Sequence, residues 1–202
     1  MSKSGGSLLP EAVLEFWFGA DSADPLRNAE LWFRKDAQFD AEIRRAFQSH
    51  LEQVARGGYS HWRKKPREAL AFIILLDQFS RNIYRDSAQA FAQDALALRS
   101  CLDGLDQGFD GQLRPMEASF FYMPLMHSEE LTMQRKSVNK FEELLARGTL
   151  ALKETLAKNL ESAVDHCRII EKYGRFPHRN ALLGRPNTAS EDEYLTQAGE
   201  GF

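Results

Sequence analysis

Apolar residues recur along this chain at three- and four-residue intervals, the repeat of a helix face, and no segment alternates as a strand would. Pro10 opens a short helix through Phe18, at a first-turn position where its missing N–H costs nothing, and Gly19 closes it. A second helical region is predicted from about Pro25 to Arg56, stopped by Gly57-Gly58, with Phe39, Ile43, Phe47, Leu51 and Val54 on one stripe. Pro66 starts a third helix whose core stripe is Phe72, Leu76, Phe79 and Ile83. A fourth covers Ser87 to about Leu102 and ends near Gly104 and Gly108. Pro115 begins a fifth, and Pro124 is expected to break or kink it, because an internal proline removes a hydrogen bond and clashes with the preceding turn.

Helix is expected to resume from about Ser128 to Ala146, then from Leu150 to Lys172 with Leu156, Leu160, Ala163, Cys167 and Ile170 on its apolar side. Gly174 caps that helix. Thr188 and Ser190 each have a glutamate three residues on, Glu191 and Glu193, the spacing of a capping box, so a short last helix through Leu195 follows. The pattern therefore predicts seven or eight helices in one all-α domain over residues 1–202, with residues 1–8 expected to be disordered. No fixed-period repeat is visible.

Composition narrows the class without choosing a function. The chain has 202 residues, 43% hydrophobic and 27% charged, ordinary values for a soluble globular domain. Its net charge of −3 argues against nucleic acid as a partner, and the basic run Arg63-Lys64-Lys65 is short and reads as a solvated loop. The longest unbroken apolar run, Ala69 to Leu76, is far below the roughly 20 residues that span a bilayer, so no membrane is implied. Cys101 and Cys167 are isolated and read as small buried hydrophobes; with no signal-peptide core at the start, a cytoplasmic setting is expected.

Three polar clusters interrupt the apolar pattern. The first is Asp77, Gln78, Arg81, Asn82 and Arg85. Asp77 and Arg81 stand four apart and share a helix face at the edge of the core stripe. Either they form an ion pair that tethers a neighbouring helix, or Asp77 fixes Arg81 so that its fork meets an anion. The second cluster, His178, Arg179 and Asn180, follows Pro177 on a constrained turn. It could dock the C-terminal segment on helix ends or reach a ligand. The third, around Pro124, holds Glu117, Tyr122, His127, Ser128 and Glu129. His166 reads as a packing histidine. No glycine-rich phosphate loop, nucleophile elbow, paired-cysteine zinc spacing or zincin helix is present, so neither cofactor nor metal is expected.

With these segments in view, the chain resembles the bacterial domain-of-unknown-function family 924. The matching stretches are Phe16-Trp17-Phe18-Gly19, Leu76 to Arg85, Phe121 to Glu129 and Arg175 to Asn180, with Leu183-Gly184-Arg185 and Glu193-Tyr194-Leu195. The resemblance implies stacked antiparallel helical hairpins similar to tetratricopeptide-repeat proteins, and it implies no substrate. A binding module is the first expectation: a polar groove for a small anionic ligand, a carboxylate-bearing peptide or a protein partner. The alternative is an enzyme acting on a small anionic metabolite, with His127 or His178 as general acid–base, Asp77 as orienter, and Arg81 and Arg179 as anion clamps. A third is a polar network that only specifies the fold.

Overall fold

The computed structural model describes residues 8–20 and 24–198. They contain helices and turns and no strand. The expectation for residues 1–8 falls outside the described residues except at Leu8, which packs partly against the core. Helix α1 (Pro10–Phe18) buries Val13, Leu14, Trp17 and Phe18. The region predicted as one helix from Pro25 divides into α2 (Ala29–Trp32) and α3 (Ala37–Ala55). Asp36 explains the division: its extended backbone ends one segment, and its carboxylate accepts from the amides of Gln38 and Phe39 at 3.0 and 3.1 Å, starting a new helix.

The centre of the molecule is a single helical run, α4 (Pro66–Ile74), a π-helical turn over Leu75–Phe79, and α5 (Ser80–Ile83). Every residue from Ala69 to Ser80 is buried, so a one-faced stripe understates it. Phe79 meets Phe47 at 4.6 Å and Trp17 at 5.6 Å between ring centroids, and Trp17 meets Phe120 at 5.4 Å.

A turn over Ala88–Phe91, capped by the Ser87 hydroxyl, leads into α6 (Asp94–Asp106). Gly104 lies within α6 and does not end it; the chain turns four residues later, at Gly108 with φ 68°. Helix α7 (Pro115–Met126) runs through Pro124 without a break. All its residues from Met116 to Met126 are buried, and with Pro124 in the last turn few bonds are disturbed. A Cβ on Gly104 would stand 2.5 Å from Phe121 Cζ and 3.1 Å from Phe109 Cδ2. Gly104→Ala is therefore expected to cost about 1–3 kcal/mol by overpacking α6 on α7, against the small gain alanine normally brings to a helix. Urea unfolding that shows no loss would contradict this packing.

Helices α8 (Leu131–Arg147) and α9 (Lys153–Tyr173) follow, with α8 packed on both α7 and α9. This succession is compatible with hairpin stacking. Gly174 ends α9 in the left-handed conformation (φ 70°). A turn at Pro177–Arg179 and α10 (Ala189–Ala198) complete the described chain. Of the two capping-box spacings, Thr188–Glu191 is used: Glu191 accepts from the Thr188 amide at 2.7 Å, and the hydroxyl accepts from the Glu191 amide at 3.3 Å.

Two acids strap the C-terminal segment to the body. Glu129 accepts from the Phe176 amide at 2.9 Å and from both guanidinium ends of Arg185 at 2.7 and 2.9 Å. Glu191 takes Arg175 in the same two-point manner, at 2.7 and 2.8 Å.

Candidate functional site

The π turn carries Asp77 into the interior, where it is fully buried, rather than to the edge of the core. π turns in otherwise α-helical runs often mark functional positions. Asp77 Oδ1 lies 2.7 Å from His127 Nδ1 and 3.2 Å from Arg81 Nη1, and Oδ2 accepts from Gln78 Nε2 at 2.6 Å. Burial alone would raise the Asp77 pKa, but Arg81 and His127 outweigh it and hold the carboxyl well below the usual range. His127 is the residue that ends α7, so helix geometry fixes it opposite the π turn.

Arg81 does not offer its fork to open space. Nη1 and Nη2 donate to Asp94 at 2.9 and 3.0 Å, and Nη1 also reaches the Asp77 carbonyl at 3.0 Å. Asp94 is the first residue of α6, where a negative charge suits the helix dipole. Arg179 meets the same carboxylate: Nη1 donates to Asp94 Oδ2 at 3.3 Å. Its guanidinium lies between the rings of Phe91 and Phe176, 4.6 and 4.5 Å from their centroids. Two acids and two arginines thus close a formally neutral buried group.

Three histidines surround it. The rings of His127 and His166 are 6.3 Å apart, and Phe176 lies 5.5 Å from His166 and 5.4 Å from His178. Burial holds all three neutral. It lowers His127, with Arg81 adding to the effect, lowers His166 to about 3, and lowers His178 to about 4. The carbonyl of Ser162 accepts at 2.7 Å from His166 Nδ1, which therefore carries the proton in the neutral ring. Among the described residues, no three His, Cys, Asp or Glu side chains are placed to hold a metal ion.

These groups border a cavity of about 930 Å³, a volume that suits a small molecule. Gln78, Arg81, Asn82, Arg85, His127, His178 and Arg179 line it, so seven of the sequence candidates share one space. Asn82 and Arg85 are held there by Asp40: Asn82 donates at 2.8 Å, and Arg85 gives two bonds at 2.6 and 2.7 Å. Three candidates lie elsewhere. Glu117 caps α7 by accepting from the Arg114 amide at 3.0 Å and pairs with Arg67 and Arg114. The Tyr122 hydroxyl donates to Asp110 at 2.8 Å, and Asn180 donates to Asn187 at 2.8 Å.

Sequence reasoning missed Asp94, Phe91 and Phe176, and set His166 aside. One signal was available: Thr155, Asn159, Ser162 and His166 recur at helical spacing beside the apolar side of α9, and all four line the cavity.

The fold and site define an all-helical protein with a charge-lined cavity open to solvent. Among the described residues, no helix is long and apolar enough to cross a membrane. The chain belongs to the family described as bacterial protein of unknown function (DUF924), whose model matches residues 13–199. It is similar to a solved structure from Agrobacterium tumefaciens, itself a protein of unknown function. The two share 31% identity over 93% of this chain and 97% of that one, with a TM-score of 0.80. Comparison with curated proteins gives no match.

Proposed function

We propose that this protein binds a small anion in the cavity, with Arg179 as its anchor. One observation carries the reading. Arg179 is 6% exposed, yet among the described residues its guanidinium makes one hydrogen bond, the long one to Asp94, besides its contacts with the Phe91 and Phe176 rings, and its Nε is buried with no acceptor. Burial, with Arg81 nearby, lowers its pKa to about 10, so it is charged at neutral pH with donors unmet. A buried cation in that state is costly, and an anion in the cavity would offset the cost. Arg81, held by two bonds to Asp94 and one to the Asp77 carbonyl, positions the acids and leaves the anchoring role to Arg179.

The test is a thermal-shift screen of carboxylates and phosphates against wild type and Arg179→Met. At a ligand concentration one hundred times Kd, the wild type should gain about 2.7 kcal/mol by mass action, and the variant should gain almost nothing. Equal shifts in both proteins would sink the reading.

A second reading, catalysis, is favoured by the 2.7 Å contact between Asp77 and His127. With Nδ1–H donated to the carboxylate, Nε2 is left as a neutral base on the cavity wall, and Asp77 fixes the ring's orientation. A bound acid that shows neither chemical change nor solvent-deuterium exchange with wild-type protein would remove this reading and leave binding intact.

A further inference from the structure

Away from Arg179 the cavity lining is part charged, with Glu30, Arg34, Lys35 and Lys158, and part apolar. On α7, Met126 and Met123 line the space next to His127, and Phe120 follows one turn further back. Phe120 carries the stacked ring of Phe33, with centroids 6.1 Å apart. Phe33 and Trp32 line the cavity as well, and Phe33 is 64% exposed. From His127 to Phe120 is seven residues, roughly 10 Å along a helix axis. Met126, Met123, Trp32 and Phe33 thus give the cavity thioether and aromatic surface that reaches a solvent-facing ring, with Phe120 buried behind it. Water along such a surface gains few hydrogen bonds, whereas an apolar group there would be desolvated against adaptable methionines.

The charges limit the other end. Asp77, Asp94 and Arg81 are already paired with one another, and Arg179 has one buried N–H without an acceptor, so a single charge on the ligand meets the one open donor there. A single negative charge therefore suffices, and the histidines around it, kept neutral by burial, add none.

We propose that the occupant is an amphipathic monocarboxylate, its carboxylate on Arg179 and its chain or ring lying over Met126 and Met123 toward Phe33. This rests on the anion reading above and narrows it to one ligand class.

Isothermal titration of wild type with butyrate, hexanoate and octanoate, and with 1-octanol, separates the two ideas. Affinity should rise about three- to fourfold per added methylene, from the burial of apolar surface. Octanol should bind at least tenfold more weakly than octanoate. Met123→Glu should abolish the chain-length gain while butyrate still binds. Phe33→Ser, a change at a ring that is 64% exposed, should reduce the gain for octanoate alone. Arg179→Met should reduce octanoate to the level of octanol. If the acids bind with no dependence on length, the amphipathic ligand is overturned and the anion site stands. If octanol equals octanoate and Arg179→Met changes nothing, the anion site itself is overturned. If none of the four binds, the monocarboxylate is overturned, and the phosphate arm of the thermal-shift screen decides the anion site.

Discussion

Replacing Arg81 with methionine should lower the unfolding free energy by about 3–5 kcal/mol, the usual cost of breaking a buried ion pair from one side. Asp77 and Asp94 are both held by this guanidinium, and Asp77 is fully buried. Without it, Asp77 keeps only the His127 and Gln78 bonds, and Asp94 keeps only the long contact from Arg179. At this chain length each kcal/mol moves the melting temperature by about 2–4 °C, so a fall on the order of 10 °C is expected in calorimetry. Arg81→Lys should recover little, because an ammonium cannot bridge Asp94 at two points while touching Asp77. Adding Asp77→Asn to Arg81→Met should restore part of the loss by removing the fully buried stranded acid while leaving the Asp94 bond to Arg179 in place. A melting temperature within 2 °C of wild type for Arg81→Met would show that the four charges do not act together.

Acid should unfold this protein earlier than its carboxylates alone would allow. In the unfolded chain each imidazole protonates near pH 6.5. In the fold, burial keeps His178 neutral to about pH 4 and His166 to about pH 3, and it lowers His127 as well. Between those limits the unfolded chain binds the extra protons. Stability therefore falls as pH drops from about 6.5 toward 4, by roughly 1–3 kcal/mol for each histidine once partial exposure is allowed for. Asp40, Asp77 and Glu129 are held below their ordinary values by the arginines and hydrogen bonds around them, so they stay ionised through this window and lose their contribution only beneath it. Urea unfolding at intervals from pH 7.5 to 4.5 reads the slope directly. His166→Asn and His178→Asn should each flatten it, and an unchanged slope in both would remove the histidines as its cause.

Signals that act within one helical turn were legible in the sequence. Pro10, Pro66 and Pro115 each begin a helix, Gly174 ends one, and Thr188 with Glu191 caps another, because a missing N–H, a positive φ or a short side chain settles the matter locally. The splitting cap at Asp36 was equally local and was hidden by the apolar stripe that continues past it. Proline 124 misled for a different reason: surrounding burial holds α7 together through a residue that would break an isolated helix.

The site shows the same division. That Asp77, Arg81, His127 and Arg179 are unusual within their apolar surroundings was readable. That Asp94 joins the two arginines was not, since an acid in a first helical turn is ordinary and its partner lies 85 residues away. Likewise Glu117 looked like a site acid and proved to be a helix cap. Nothing in the spacing of Leu75 to Phe79 announces a π turn, which is set by packing on both sides of the central run.

The contacts that enclose the cavity also dictate when it can exist. His127 to Asp77 spans 50 residues, Arg185 to Glu129 spans 56, and Arg179 to Asp94 spans 85. Pairings this distant close long loops and are expected to form after helices such as α7, α8 and α9 have met through contacts near in sequence. A nascent chain still emerging from synthesis would hold the acids, the histidines and Arg81 with no chamber around them. Only when the turn at Pro177 docks does the cavity acquire Arg179 and the part of its wall formed by His178 and Leu182.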